Sequence, residues 1–409
     1  MSLTNRVLIG LVGGFLLGLA LAGSTSPAVA TLLAVLAPVG TIFINLIRMT
    51  VIPLVASMLI ASVGSLASSG ALGRAGMRAA IVAVAMLTLT AAATVLLATP
   101  ALARIQIDQR AALALRGPTA GLSTGYASAA PNTTLAQWFT DLVSPNVVKA
   151  AADGAMLPVI VFAVLFGVAL AGVTAERREA VLRVTQGIAD AMQRLVSGIL
   201  ELAPAGVFAL AVPLASKLGL AAAGAVVAYI VLVVLLTVLA AAVLLYPVGI
   251  VAGGMSPYAF LSFCAPAQAV AFASRSSLAA LPAMVESGER ANLPPIVSRF
   301  ILPLAASVFR VGAAVAMPVG VLFLARLYGA TLSPAQLASV VFTVILSSFA
   351  VPGVPGGSII AMVPVLAAVN LPVEGIGILL AVDTIPDMFR TTANVTGSLT
   401  LAAVLRRSE

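Results

Sequence analysis

The chain lacks histidine, has one cysteine, and contains few charged or aromatic residues, 8% and 5% of its 409 positions. Without histidine it has neither the commonest metal ligand nor the commonest proton shuttle, which argues against a zinc or haem enzyme. The single cysteine, Cys264, excludes an internal disulfide and leaves the redox compartment open. The net charge of +8 comes from basic residues scattered singly or in pairs, so it does not indicate nucleic-acid binding.

What the chain has in abundance is apolar sequence. Hydrophobic residues make up 61% of it and the mean hydropathy is +1.17, more than a soluble core requires. Residues 218–274 and 327–373 carry no charge. A spanning helix needs only about 20 apolar residues, so each run must hold more than one crossing or a long tilted one. The composition therefore predicts an all-α polytopic membrane protein.

Apolar segments alternate with polar connections over the first 250 residues. The second segment is longer than one crossing requires, which indicates an oblique helix. Residues 104–145 predict a long aqueous loop, and the charged cluster 176–183 predicts a solvated connection. Basic residues fall on one side of alternating spans, which predicts a multi-pass protein of the inner (plasma) membrane with both termini in the cytoplasm. The predicted spans are 7–21, 31–67, 79–101, 159–172, 184–213 and 221–252.

Two later segments have short apolar arms on either side of a tip. The tips are Ser274-Arg275-Ser276-Ser277 and Pro352-Gly-Val-Pro-Gly-Gly357. Arms of roughly 10–14 residues are too short to cross a membrane, so they favour re-entrant hairpins over a surface loop between spans. A full helix follows each hairpin, and the two units, about 257–327 and 333–404, have nearly equal lengths. Interrupted segments in corresponding halves indicate a transport site at the interface of the repeats.

The polar residues are concentrated in one apolar stretch near the C-terminus. In a helix, a single face with an arc of roughly 80° carries Asp383, Asp387, Arg390, Asn394 and Ser398. An Asp387–Arg390 pair that only satisfies itself is one interpretation. A ligand platform is the other, because charged groups inside a membrane are costly and are functional by default. Arg390 offers a planar fork for a carboxylate, and Asp387 suits an ammonium group.

Four motifs carry a resemblance to a known family: Asp387-Met-Phe-Arg390-Thr391-Thr-Ala-Asn394-Val-Thr-Gly397, Ser274–Ser277 with Leu281-Pro282, Gly353-Val-Pro-Gly-Gly-Ser358, and Ser298-Arg299-Phe300 with Leu302-Pro303-Leu304. They resemble motifs of the dicarboxylate/amino acid:cation symporters, the glutamate transporter family. The resemblance implies eight transmembrane helices and two re-entrant helical hairpins with inverted repeats, in an elevator-type homotrimer embedded in the lipid bilayer.

The same resemblance divides the chain into a scaffold and a moving transport domain. The scaffold comprises residues 1–76 (helices 1–2) and 105–216 (an extracellular loop and helices 4–5). The transport domain comprises residues 77–104 (helix 3) and 217–409. Within the last range it implies helix 6, hairpin 1 at about 257–290, helix 7 at about 296–327, hairpin 2 at about 333–372 and helix 8 at about 374–405.

The resemblance also assigns roles to individual residues. Arg390 takes the side-chain carboxylate of the substrate and Asp387 takes its amino group. Asp387 beside Arg390 favours an acidic amino acid over a plain dicarboxylate, which has no ammonium, although aspartate and glutamate are not distinguished. No cofactor is implied. The remaining substrate contacts are Asn394, Thr391, Ser276, Ser277, Val354, Pro355, Gly356 and Gly357.

The chain departs from the family where sodium binds. The Asn-Met-Asp-Gly-Thr motif of the seventh helix is replaced by 309–313, Phe-Arg-Val-Gly-Ala, and the aspartate after Gly397 by Ser398. Loss of two carboxylates and an amide removes the oxygen ligands that a hard cation needs. We expect sodium coupling to be lost or reduced, with Arg310 replacing a bound cation and pairing with Asp387 or Asp383. The degenerate cation region comprises Phe309, Arg310, Val311, Asp383, Ser398 and, by a looser alignment, Thr88.

Other functions stay open at this stage. A conventional sodium- or proton-coupled symporter requires Arg310 to turn away or a proton to ride on an acidic side chain. A non-transporting sensor would bind substrate and move none. A channel would need a continuous polar pore. An enzyme using Asp383 and Asp387 as a proton-sharing dyad is disfavoured, because Arg390 beside them keeps both ionised.

Overall fold

The computed structural model describes residues 3–24, 26–68, 73–104, 140, 142–153, 155–218, 220–351 and 356–406. All regular structure in these residues is helical, as the composition predicts. The helices of the first half are α1 (Leu3–Ala20), α2 (Pro27–Ser68), α3 (Gly73–Ala103), α4 (Val147–Ala152), α5 (Met156–Ala169), α6 (Ala175–Glu201), α7 (Ala203–Leu218) and α8 (Leu220–Ala240). Those of the second half are α9 (Tyr246–Val251), α10 (Pro257–Ser274), α11 (Leu281–Arg290), α12 (Leu302–Val308), α13 (Val311–Leu327), α14 (Pro334–Ser348), α15 (Gly357–Ile360), α16 (Val363–Ala368), α17 (Ile376–Val382) and α18 (Thr384–Leu405).

The long second segment forms one helix, as predicted. α2 has 42 residues, which corresponds to about 63 Å of helix and leaves room for tilt in a bilayer core of about 30 Å. It packs against α5, α6 and α7. α1 packs closely on α7, because Gly10, Gly14 and Gly18 lie four residues apart and let the two backbones approach.

The charged cluster 176–183 is a helix start and not the predicted connection. α6 begins at Ala175 and includes all of its charged residues, which lie in its exposed first turns. α6 and α7 meet at a bend of 55° beside Leu202, two residues before Pro204. Pro213, in contrast, lies inside α7 and does not end it.

Both predicted hairpin positions hold two helices with a break between them. α10 ends where Arg275 adopts left-handed backbone with φ of 54°, and α11 then packs back against α10. α14 ends at Ser348, and α16 packs back against α14. The second tip, residues 352–355, lies outside the described residues. Each unit thus contains two helices that pack against each other, and a further helix follows it in the chain.

Those following helices form the buried centre of the molecule. The stretch Leu302–Leu327, which contains α12 and α13, is buried throughout its most apolar window and is broken at Phe309 and Arg310. α17 and α18 meet at Asp383, and α18 packs against α3, α8, α10 and α13. We refer to α12–α13 as helix 7 and to α17–α18 as helix 8.

Three helical stretches of the described residues are long and apolar enough to cross a membrane: Met77–Ala103, Gly224–Val251 and Leu302–Leu327. The bent pair α6–α7 would make a fourth. Six further apolar stretches have 10–17 residues, among them the arms of the second hairpin. Eight spans with two hairpins remain a prediction.

Candidate functional site

Arg390 is the centre of the polar cluster. Its side chain is fully buried, and its Nη1 and Nη2 donate to the two carboxylate oxygens of Asp383, both at 2.7 Å. Nη2 also donates to Asp387 Oδ1 at 2.8 Å. The predicted Asp387–Arg390 pair is therefore present, with a third member. Asp383, which the family resemblance placed in the cation region, holds the guanidinium in a bidentate grip.

The guanidinium has one edge left for a ligand. Asp383 occupies the edge formed by Nη1 and Nη2, while Asp387 holds only the Nη2 corner of the edge formed by Nε and Nη2. Nε of Arg390 is buried and has no hydrogen-bond partner among the described residues. A buried donor without an acceptor is costly, so this edge is chemically suited to receive a carboxylate.

Asp387 connects the cluster to the second hairpin. Its Oδ2 accepts a long hydrogen bond of 3.4 Å from the backbone N–H of Gly356. Gly356 has φ of +78°, a left-handed conformation that favours glycine and precedes α15. Gly356 thus lies beside Asp387 and Gly357 follows it as the first residue of α15, whereas Val354 and Pro355 lie outside the described residues.

Asn394 joins helix 8 to the break in helix 7. Its Oδ1 accepts a 2.7 Å hydrogen bond from the backbone N–H of Gly312, in the first turn of α13, where helical N–H groups have no partner of their own. A Cβ at Gly312 would clash with the Arg390 carbonyl oxygen, so only glycine allows this close approach. The side-chain oxygen of Asn394 is therefore engaged by the protein, while its amide nitrogen is a donor and not an acceptor.

Arg310 points into the protein. It is 2% exposed, lies in the break between α12 and α13, and interacts electrostatically with Asp387. Arg275, at the tip of the first hairpin, interacts in the same way with Asp383. Together with Arg390 these place three guanidinium groups near the carboxylates of Asp383 and Asp387. Such a cluster favours an anionic ligand.

Apolar side chains fill the region where the family resemblance places a sodium site. Phe309 and Val311 are fully buried, and both face Gly397 of helix 8: a Cβ there would lie 2.8 Å from Val311 Cγ2 and 3.2 Å from Phe309 Cε1. Ser398 is buried, and its hydroxyl donates to the Asn394 carbonyl in its own helix at 3.1 Å. Phe309 and Val311 thus leave no room for a side chain at Gly397.

The remaining predicted site residues in the described part of the chain differ in burial and in hydrogen bonding. Thr391 and Ser277 are buried, while Ser276 accepts from the Ala279 N–H at 3.3 Å and so shapes the hairpin turn. Thr88 is half-buried, and its hydroxyl donates to the Val84 carbonyl; no bond brings it into the cluster. Thr90, two residues later, lies on the buried face of α3.

Sequence reasoning missed a second polar network and a buried tyrosine. Gln268 Nε2, in α10, donates to Thr396 Oγ1 at 2.7 Å and to the Tyr246 hydroxyl at 3.0 Å. Tyr229, in α8, is fully buried beneath Phe323. Gln268 is the one amide in an apolar hairpin arm, and Tyr229 is a polar residue in a charge-free run. A polar side chain in such surroundings is the signal that could have found them.

Comparison with known proteins identifies the family of the chain. The family model described as the sodium:dicarboxylate symporter family matches residues 3–408. The chain belongs to this family. It is therefore a membrane transporter and not an enzyme.

The curated relatives of the chain differ in the ions that their names contain. The "Proton/glutamate-aspartate symporter" of Escherichia coli (strain K12) is 30% identical over 410 residues, covering 100% of this chain and 93% of the relative. The "Proton/sodium-glutamate symport protein" of Bacillus subtilis (strain 168) is 30% identical, with the same coverage. The human "Neutral amino acid transporter B(0)" is 31% identical over 90% of this chain and 72% of the relative.

Proposed function

We propose that this member of the sodium:dicarboxylate symporter family is a secondary active transporter of acidic amino acids, aspartate or glutamate, in which sodium coupling is lost or reduced. The observation that carries the proposal is the group of four buried charged residues, Arg310, Arg390, Asp383 and Asp387, with an open guanidinium edge on Arg390 and the half-buried Arg275 nearby. The guanidinium groups attract an anionic substrate and repel a cation.

The cluster matches both ends of an acidic amino acid. The Nε–Nη2 edge of Arg390 receives the side-chain carboxylate, which displaces Asp387 from Nη2. Asp387 then turns to the ammonium group and keeps a charged partner, so no buried carboxylate is left alone. Asn394, Thr391, the serines Ser276 and Ser277, and the second tip with Val354, Pro355, Gly356 and Gly357 surround the rest of the substrate.

Arg310 acts as a built-in cation. A sodium ion in this family neutralises charge next to the substrate, and here a fixed guanidinium stands in the break of helix 7. Phe309 and Val311 occupy the space beside Gly397, and the Ser398 hydroxyl donates a hydrogen bond to the Asn394 carbonyl of its own helix. Neither the ligands nor the room for a dehydrated cation is retained.

The family membership supports the larger arrangement that we propose. Eight spans and two re-entrant hairpins lie in the inner (plasma) membrane, with both termini in the cytoplasm. Three copies assemble through residues 1–76 and 105–216, and the remaining residues carry the substrate in an elevator movement. The all-helical fold and the two helix-break-helix units are compatible with this arrangement.

The decisive experiment measures binding and uptake in parallel. Purified protein is titrated with aspartate in sodium buffer and in choline buffer, and proteoliposomes are assayed for radiolabelled aspartate uptake. We expect equal affinity and uptake in both buffers. Sodium-dependent binding would contradict the role of Arg310, and binding without uptake would identify a sensor.

Proton-coupled symport is a second candidate, favoured by the names of the E. coli and B. subtilis relatives. Without histidine, the proton would travel on Asp383, Asp387 or the substrate carboxyl. Uptake into proteoliposomes with an imposed proton gradient separates the two. Accumulation above the external concentration requires coupling, whereas equilibration alone indicates uniport or exchange.

The role of Asp387 is tested by comparing two ligands. Asp387→Asn removes the charge that pairs with an ammonium group, so aspartate affinity is expected to fall about tenfold to a hundredfold. Succinate has no ammonium and should bind the variant at least as well as it binds the unaltered protein. Equal losses for both ligands would show that Asp387 serves the fold and not the amino group.

A further inference from the structure

A buried tyrosine beside the cluster has no assigned role. Tyr229 belongs to α8, is 0% exposed, and its hydroxyl has no hydrogen-bond partner within the described part of the chain. Its ring packs against Phe323 of α13, with 5.1 Å between the ring centroids, which fixes the direction of the side chain. Burying a hydroxyl without a partner is unfavourable, and a phenylalanine would fill the same space without this cost.

The position of the Tyr229 hydroxyl suggests which kind of hydrogen-bond partner it lacks. α8 packs against both helix 7 and helix 8, and the Tyr229 hydroxyl lies within electrostatic range of Asp383 and Arg390. The carboxylate of Asp383 is occupied, since both of its oxygens accept hydrogen bonds from Arg390. Arg390 Nε and the Tyr229 hydroxyl are therefore two nearby buried donors. Neither has a hydrogen-bond acceptor among the described residues.

We propose that Tyr229 is a further substrate-binding residue, whose hydroxyl donates a hydrogen bond to the side-chain carboxylate of the substrate held at the Nε–Nη2 edge of Arg390. The inference rests on the proposed function and deepens it. Arg390 supplies the charge, while Tyr229 fixes the second direction from which that carboxylate is held. The ligand class is a compound with a carboxylate at the end of a short chain.

The test is Tyr229→Phe, which removes one oxygen and preserves the ring. Purified variant and unaltered protein are titrated with aspartate and with succinate, and the melting temperature is measured without ligand. We expect both affinities to fall about tenfold to a hundredfold, because the lost bond is to a charged group common to both ligands. The ligand-free melting temperature should stay the same or rise. Tyr258→Phe, at a side chain that is 81% exposed, serves as the matched control and should change neither quantity.

The outcomes separate this inference from the proposed function. Unchanged affinity of Tyr229→Phe for both ligands would overturn the inference and leave the proposed function standing. A lowered ligand-free melting temperature together with weaker binding would show that the hydroxyl supports the fold, which also overturns it. Failure of the unaltered protein to bind either ligand would refute the proposed function, and the inference with it.

Discussion

Helix 7 and helix 8 are both interrupted, and the two interruptions differ in kind. In helix 7, Phe309 and Arg310 leave helical geometry, with ψ of 103° and 74°, and α13 starts anew with a Gly312 N–H that donates to Asn394 of helix 8. In helix 8, Asp383 keeps helical angles, and the helix continues with its charged side chains bonded to one another. Helix 7 thus contributes backbone donors and a fixed charge, whereas helix 8 contributes the side chains that can exchange partners.

The largest effect is expected from Arg390→Ala in helix 8. This variant leaves Asp383 and Asp387 buried without their shared partner, which costs about 3–5 kcal/mol of unfolding free energy and abolishes aspartate binding. Thermal unfolding in detergent and calorimetric titration measure both effects. Arg290→Ala breaks an exposed ion pair with Glu286, at 3.5 Å, and should cost no more than about 1 kcal/mol. Retained binding in Arg390→Ala would show that the substrate carboxylate lies elsewhere.

The contact between the two helices is tested by Gly312→Ala. The added methyl group would meet the Arg390 backbone, which is unable to move aside as a side chain can, so we expect a loss of about 1–3 kcal/mol or more. Gly224→Ala is the control, because a Cβ there meets open space and alanine favours a helix. A tolerated Gly312→Ala would mean that helix 7 does not depend on its close approach to helix 8.

Much of this arrangement could be predicted from the sequence. Charge-free runs and tip motifs predicted the helices and the break at 274–277, and a helical period of 3.6 placed Asp383, Asp387 and Arg390 on one face. These features are local, since each depends on residues close together in the chain. The Asp387–Arg390 pair is present with Asp383 as a third member, and the ligand platform stays a prediction.

The features that sequence reasoning missed are contacts between distant segments. Gln268 and Thr396 are 128 residues apart, and Tyr229 approaches Arg390 from a different helix. The sequence placed Asp383 in the cation region and on one helical face with Arg390. The fold adds that its carboxylate accepts two hydrogen bonds from the Arg390 guanidinium.

Helix 7 itself is tested by Arg310→Met, which keeps the length of the side chain and removes its charge. The positive charge that acts on Asp387 from helix 7 is then lost, so aspartate affinity in sodium-free buffer should fall at least about tenfold. Arg326→Met is the control at the exposed end of the same helix, where the guanidinium donates to the Ala103 carbonyl at 3.0 Å. Unchanged affinity in Arg310→Met would show that helix 7 contributes no charge to aspartate binding.

The smallest effect is expected where the first hairpin meets helix 8. Thr396→Val removes the hydroxyl that accepts from Gln268, whose amide keeps its bond to Tyr246, so the loss should be about 0.5–1.5 kcal/mol. Thr392→Val is the matched control, because among the described residues that hydroxyl bonds to the Met388 carbonyl of its own helix. Unfolding curves of the two variants should therefore separate by this amount. Coinciding curves would mean that packing alone holds α10 against helix 8.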